Sequence, residues 1–280
     1  MAELSQGRLD GRVCVVTGAS RGIGAAIARR FAAEGGSVVL AARTVDGSTP
    51  SPYPGSLADT VTAIRSDGGQ ALAVRCDLTS PDERRSLIEQ AHAAYGPVDV
   101  LVNNAAASWA RPFEELTAKQ YQVMFEVHVR SAFDLSRLVL PDFMAAGRGW
   151  IVNMTSGAAR HPQGPPFADG DQAQSTLVYS MCKVALERFT TGLAAHLWSR
   201  NVAVNALAPT KAVLTHGMNH PPVDPRQEKL IEKADDTAAA ALELCTGEAR
   251  RVTGLVTHTE AVLSDSRRPA AEPSGRRTAT

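Results

Sequence analysis

Val13-Cys14-Val15-Val16-Thr17-Gly18-Ala19-Ser20-Arg21-Gly22-Ile23-Gly24 runs from an apolar strand into a glycine-rich turn, and the helical pattern Ala25-Ala26-Ile27-Ala28 follows at once. Glycines at such a turn let the backbone approach a pyrophosphate, whose charge is met by free amides and by the dipole of the following helix. A glycine spacing alone says little. A strand before it and a helix after it supply the context that a dinucleotide-binding βαβ unit requires. The rival reading is a glycine-rich connection with no ligand.

Short apolar runs recur at Val38–Ala41, Ala71–Val74, Val98–Val102, Ile151–Met154 and Val202–Leu207, separated by segments of helical period. Their hydrophobicity is continuous rather than alternating, which marks strands covered on both faces, and parallel neighbours need the crossover helices that the intervening segments supply. The expected fold class is α/β, a Rossmann-type doubly wound parallel sheet in three αβα layers. One helix start is legible in detail. Ser80-Pro81-Asp82-Glu83 offers a capping hydroxyl, proline at the first helical position and glutamate three residues after the cap, which predicts a helix to about Tyr95.

With 280 residues and 44% hydrophobic content the chain can bury one sizeable core, so residues 1–263 are expected to form a single domain. The polar stretch 264–280 reads as a disordered tail, with a basic docking tail as the sharper alternative. Two internal stretches break the pattern. Ser48–Gly55 is too rich in proline for helix and lengthens the connection after the second strand; Arg160–Gln174, with three prolines and two glycines, reads as an irregular loop beside the site.

Twenty-nine basic residues balance 29 acidic ones, so no long-range field recruits nucleic acid or an anionic membrane, and small molecules are the expected partners. Cys14, Cys76, Cys182 and Cys245 form no CxxC pair, which suits reduced thiols in a cytoplasmic compartment, and no metal site is expected. Met1–Arg12 lacks a signal-peptide stretch, and no run approaches the roughly 18 apolar residues that span a bilayer.

The second strand ends Leu40-Ala41-Ala42-Arg43-Thr44, without the acid that would bond an adenosine ribose hydroxyl. Arg43 stands where a phosphate on that ribose would be welcome, and Arg21 of the glycine turn approaches from the other side. Two guanidiniums suit a phosphate dianion through forked, charge-assisted hydrogen bonds, which favours NADP over NAD. The rival is a solvated strand-end charge.

Tyr179-Ser180-Met181-Cys182-Lys183 opens a long helical pattern extending to about Ser199, and a spacing of four puts phenol and ammonium on one face. An ammonium about 5 Å from the phenol favours phenolate by roughly 3 kcal/mol at an effective dielectric of 20. Ile151-Val152-Asn153-Met154-Thr155-Ser156-Gly157 looks like a strand ending in two hydroxyls, and the carboxyl ends of strands are where such sheets bind ligands. Ser156 can hydrogen-bond a substrate oxygen.

The glycine turn, Asn103-Asn104-Ala105-Ala106, Ser156 and the Tyr179/Lys183 pair, in that order, resemble the short-chain dehydrogenase/reductase family over roughly Leu9 to Leu263. The resemblance implies that Tyr179 exchanges a proton with the substrate oxygen and that Ser156 orients it. It implies further that Lys183 binds the nicotinamide ribose and depresses the tyrosine pKa, while hydride passes between nicotinamide and a ketone, aldehyde or secondary alcohol carbon. By the same matching the cofactor groove takes Gly18, Ser20, Arg21, Gly22, Ile23, Gly24, Arg43, Asp77, Leu78, Asn104, Tyr179, Lys183 and Pro209. A homodimer or homotetramer is implied, through helices near Phe113–Phe143 and Thr176–Ser199.

Several residues depart from the family. His128 replaces the usual asparagine of the proton relay, and is either a catalytic participant or a structural histidine. Pro209-Thr210-Lys211-Ala212-Val213-Leu214-Thr215 lacks the proline-glycine step and moves its threonine to Thr215; the strand after Thr253-Gly254 lacks the usual Asp-Gly-Gly ending. With the insert after Arg43, these features resemble the hydroxysteroid dehydrogenase-like subgroup. Tyr179 follows Ser156 by 23 positions, a longer separation than the family's, so the extra loop is expected at the substrate mouth, with Phe167, Trp109, Phe113 and Met218 offering an apolar lining. Two alternatives remain: a catalytically impaired NADP-binding redox sensor, and a dehydratase or epimerase on the same fold, which would carry TGxxGxxG glycines rather than TGxxxGxG.

Overall fold

Alternation along β1 (Val13–Thr17) decides both layers: Val13 and Val15 enter one apolar cluster, Cys14 and Val16 the other. The computed structural model describes residues 7–48, 51, 53–167, 176–214 and 231–266. In it β1, β2 (Ser37–Ala42), β3 (Gln70–Arg75), β4 (Val100–Asn103), β5 (Gly149–Met154), β6 (Val202–Ala208) and β9 (Val256–His258) form a parallel sheet ordered β3-β2-β1-β4-β5-β6-β9. The short pair β7 (Ala212–Val213) and β8 (Ile231–Glu232) stands apart.

Helices cover both faces. On one, α1 (Gly22–Ala33), α2 (Leu57–Ser66) and α7 (Ala234–Thr246) bury Ile27, Phe31, Leu57, Ile64 and Leu242; on the other, α3 (Pro81–Tyr95), α5 (Ser131–Ala146) and α6 (Leu177–Leu197) bury Leu87, Leu135, Phe143 and Leu197. Phe31 and Phe143 are wholly enclosed, so truncating either to alanine should cost about 3–5 kcal/mol. The doubly wound αβα fold expected from the sequence is the fold observed.

Caps set the helix starts. Ser80 accepts from Glu83 N ahead of Pro81, as its local sequence predicts, while Ser56 with Asp59 and Thr117 with Gln120 form capping boxes for α2 and for α4 (Ala118–Phe125). Between α4 and α5 the residues Glu126–Arg130 widen into a π-turn that carries His128. The last helix, α8 (Thr259–Ser266), runs past the expected domain end at residue 263, because Val262 and Leu263 pack on the core and hold it down. Residues 267–280, read as a disordered tail, lie outside the described residues.

Candidate active site

Strand order reverses between β1 and β4, and the crevice at that switch point is where this architecture receives ligands. Gly18 adopts φ +68° there, and a Cβ on it would stand 2.7 Å from Ala105 Cα. A Cβ on Gly24 would stand 2.3 Å from Gly18 O, so close packing of turn against helix excludes any side chain at either position. Gly22 also has a positive φ, of +56°. Asn104 locks the seam: its Nδ2 donates to Thr17 O at 2.8 Å, while its backbone N donates to Thr17 Oγ1 at 2.9 Å. Ser20 is buried and Ile23 packs on the core. No side chain caps α1 and no acid occupies its first turn, so its amide dipoles face the glycine turn without a competing anion. A pyrophosphate fits these residues.

Arg43 is exposed just beyond β2. Burial and the nearby Arg43 charge together lower the Arg21 pKa, which places the two guanidiniums within electrostatic reach of each other. Burial works against the Asp77 carboxylate, but hydrogen bonds from Thr79 N and Oγ1, at 3.0 and 2.8 Å, with Arg43 and Arg75 nearby, hold its pKa below the usual range. Leu78 is buried, and its carbonyl accepts from Arg84, which is itself buried and paired with Asp134 at 2.7 Å.

Ser156 stands two residues past the end of β5, and its Oγ accepts from Ala158 N at 3.2 Å while sharing a hydrogen bond with the Tyr179 hydroxyl. Lys183, one turn along α6, has only 2% of its surface exposed; its Nζ donates to Met154 O at 2.7 Å and lies 5.4 Å from the Tyr179 ring centroid. Burial pushes the Lys183 pKa down to about 8. Burial also raises the Tyr179 pKa, outweighing the Ser156 hydrogen bond. The depressed phenol implied at first is therefore not what this geometry carries: desolvation raises the phenol, and the Lys183 ammonium is committed to the Met154 carbonyl.

His128 is 3% exposed and meets the Tyr179 ring edge-on, with centroids 5.2 Å apart. Its Nε2 lies 2.8 Å from Ala107 O and 3.2 Å from Ala107 N, and its Nδ1 is buried without a partner. Burial, then the Lys183 charge, lowers its pKa to about 3. The imidazole is neutral at every pH near 7, so titration near neutrality is not open to it.

Trp109 joins Tyr179 around the small apolar cluster of Met124, Val178 and Cys182. Phe113 and Phe167 are largely exposed, and Pro209 follows β6 at the same sheet edge. Thr215 and Met218 lie outside the described residues. Sequence reasoning missed the carbonyls of Met154 and Ala107, which no side-chain pattern signals. It also missed Glu232, a buried carboxylate that accepts from Thr210 N at 2.7 Å and Lys211 N at 3.2 Å and so fixes the segment after Pro209. Among the described residues no helix is long and apolar enough to cross a membrane.

The family model described as short chain dehydrogenase matches residues 12–221. The 7alpha-hydroxysteroid dehydrogenase of Escherichia coli is 33% identical over 257 residues, covering 89% of this chain and 92% of that protein. A solved structure of 7alpha-hydroxysteroid dehydrogenase complexed with NADH and 7-oxo glycochenodeoxycholic acid superposes with TM-score 0.77 at 32% identity, over 92% of this chain and 96% of that one. A metagenomic short-chain oxidoreductase in complex with NADP gives TM-score 0.71 at 30% identity, over 90% and 97% of the two chains. Motif order, sheet topology and site geometry agree with these likenesses, and the chain belongs to the short-chain dehydrogenase family.

Proposed function

We propose that the chain is an NADP-dependent oxidoreductase that moves a hydride between nicotinamide and an apolar ketone, aldehyde or secondary alcohol. The observation that carries this reading is the convergence of Ser156, Tyr179 and Lys183 at the carboxyl end of β5, one sheet position from the glycine-turn seam at β1 and β4. The cofactor, when bound, supplies or accepts the hydride. Gly18, Ser20, Gly22, Ile23 and Gly24 would hold its pyrophosphate, Asp77, Leu78 and Asn104 would line the adenine side and the groove, and Pro209 would flank the nicotinamide. Lys183 would hold the nicotinamide ribose.

In reduction, Ser156 orients the carbonyl oxygen and Tyr179, whose raised pKa keeps it protonated, gives it a proton. In oxidation Tyr179 takes the proton back, and Lys183, with its pKa near 8, passes it onward. His128 supports this group by position, holding the chain after β4 at Ala107 and the edge of the Tyr179 ring.

NADP is favoured by Arg43, by its charge neighbour Arg21 and by the missing acid after β2, although the two solved relatives above hold NADP and NADH respectively. An apolar substrate suits Trp109 beside Tyr179 and the likeness to a hydroxysteroid dehydrogenase. We infer a cytoplasmic homodimer or homotetramer assembled through α4, α5 and α6, where Tyr121, Phe133, Met144, Leu177 and Met181 are exposed. The test is to mix the protein with NADPH and a panel of ketones and aldehydes, hydroxysteroid precursors included, and follow nicotinamide absorbance. Consumption of NADPH is expected. NADPH binding without consumption of any carbonyl favours a redox sensor instead.

A further inference from the structure

The proline-containing segment between β2 and α2 has no part in the reading above, yet its hydrogen bonds converge on one side chain of the glycine turn. Arg21 Nη1 donates to Ser51 Oγ at 3.0 Å and Nη2 donates to Gly55 O at 2.7 Å. Ser51 Oγ donates in turn to Tyr53 O at 3.0 Å, and the Arg21 guanidinium carbon lies 6.0 Å from the Tyr53 ring centroid. Gly55 has φ +97°, and a Cβ on it would stand 3.0 Å from Ser20 O and 3.2 Å from Arg21 Cβ, so the segment rests on the glycine turn itself. Leu57 N and Ala58 N donate to Thr44 O and Val45 O, at 3.0 and 2.8 Å, closing the base of the loop beside Arg43.

Each terminal nitrogen of Arg21 thus gives one of its N–H groups to the segment, and Nε is buried without a partner. The guanidinium is thereby fixed against the segment, whereas Arg43, exposed at the strand end, can turn toward a phosphate. The Arg43 charge, after burial, lowers the Arg21 pKa, and an anion between the two relieves that repulsion.

We propose that Ser51, Tyr53 and Gly55, clamped by Arg21, form one wall of the site for the phosphate on the adenosine ribose, so that Arg21 selects NADP by positioning this wall while Arg43 meets the phosphate directly. The inference rests on the NADP reading above and assigns Arg21 a different task within it.

The test is calorimetric binding of 2′,5′-ADP and of 5′-AMP, which differ only in that phosphate and need no turnover. The proteins are the full chain, Arg21→Ala, the pair Ser51→Ala with Tyr53→Ala, and all three substitutions together. Arg21→Ala and the pair should each weaken 2′,5′-ADP by about tenfold, as expected for a hydrogen-bonded charge. The triple variant should be no weaker than the worse of these, because both changes dismantle one wall. Binding of 5′-AMP should stay within about twofold throughout, which also reports an intact fold. Losses that multiply in the triple variant would show Arg21 acting on the phosphate by itself and overturn the proposal. So would no effect of the Ser51/Tyr53 pair, or an equal loss of 5′-AMP. If the unsubstituted protein binds 2′,5′-ADP no better than 5′-AMP, the NADP reading fails first; a strong preference with multiplying losses sinks only the wall.

Discussion

At the β1–β4 seam, shape comes from side chains that are absent: Gly18 and Gly24 leave no room for a Cβ, and Asn104 binds two backbone carbonyls to hold the turn closed. At the end of β5 the reverse holds. Lys183, Tyr179 and His128 are large polar side chains drawn into the interior, each with a pKa displaced first of all by burial. The seam can bind without reacting, since amides and dipoles do not titrate. The β5 edge instead holds two groups that titrate, a phenol and an ammonium, and under the proposed function substitutions should separate the two properties.

The largest separation is expected for Tyr179→Phe. Removing the hydroxyl deletes the proton donor while leaving the seam untouched, so kcat should fall by on the order of 10³-fold. NADPH affinity, read by fluorescence titration, should hold. A variant retaining a tenth of its turnover would remove Tyr179 from the acid role. Arg43→Asp attacks the opposite end and should leave the chemistry alone. Its expected effect is a swing in the ratio of kcat/KM with NADPH to that with NADH of about 10–100-fold toward NADH. An unchanged ratio takes Arg43 out of the phosphate site.

Much of this division is legible before any coordinates. The glycine turn announces itself because a βαβ unit demands glycine at set positions, and the six strands are readable because burial on both faces leaves them uniformly apolar. The trio of Ser156, Tyr179 and Lys183 is readable by its motif order. What resists reading depends on distance through the fold. Nothing in the spacing of Tyr179 and Lys183 tells that burial raises the phenol's pKa. The carbonyls of Met154 and Ala107, which receive Lys183 and His128, carry no residue identity. The clamp of Arg21 on Ser51 and Gly55 was equally hidden, since a proline-rich segment advertises only that it is not a helix.

Lys183→Met sharpens the contrast by stability rather than rate. The folded pKa near 8 lies below the ordinary 10.5, so between those values the unfolded chain holds a proton that the folded chain does not. The lysine's contribution is therefore unfavourable below pH 8 and is relieved as pH rises toward 10.5. Compared by urea unfolding, the native protein should gain on Lys183→Met by about 1 kcal/mol per pH unit across that window. Parallel curves would mean that Lys183 is not held near neutrality by burial.

The smallest effect is expected from His128→Asn. Its folded pKa of about 3 lies below the usual 6.5, so the unfolded chain takes up a proton first as pH falls, and the native protein loses stability through that interval while the asparagine variant does not. Acid unfolding should accordingly begin at lower pH in the variant. Turnover should change by less than about tenfold, because asparagine can still bond Ala107 even though the edge contact with Tyr179 is lost. The shape of the rate profile between pH 5 and 8 should be the same in both proteins, since a neutral imidazole has no charge to lose there. A limb near pH 6–7 that disappears in His128→Asn would show the imidazole titrating during turnover, and would move His128 from a positioning residue to a member of the proton relay.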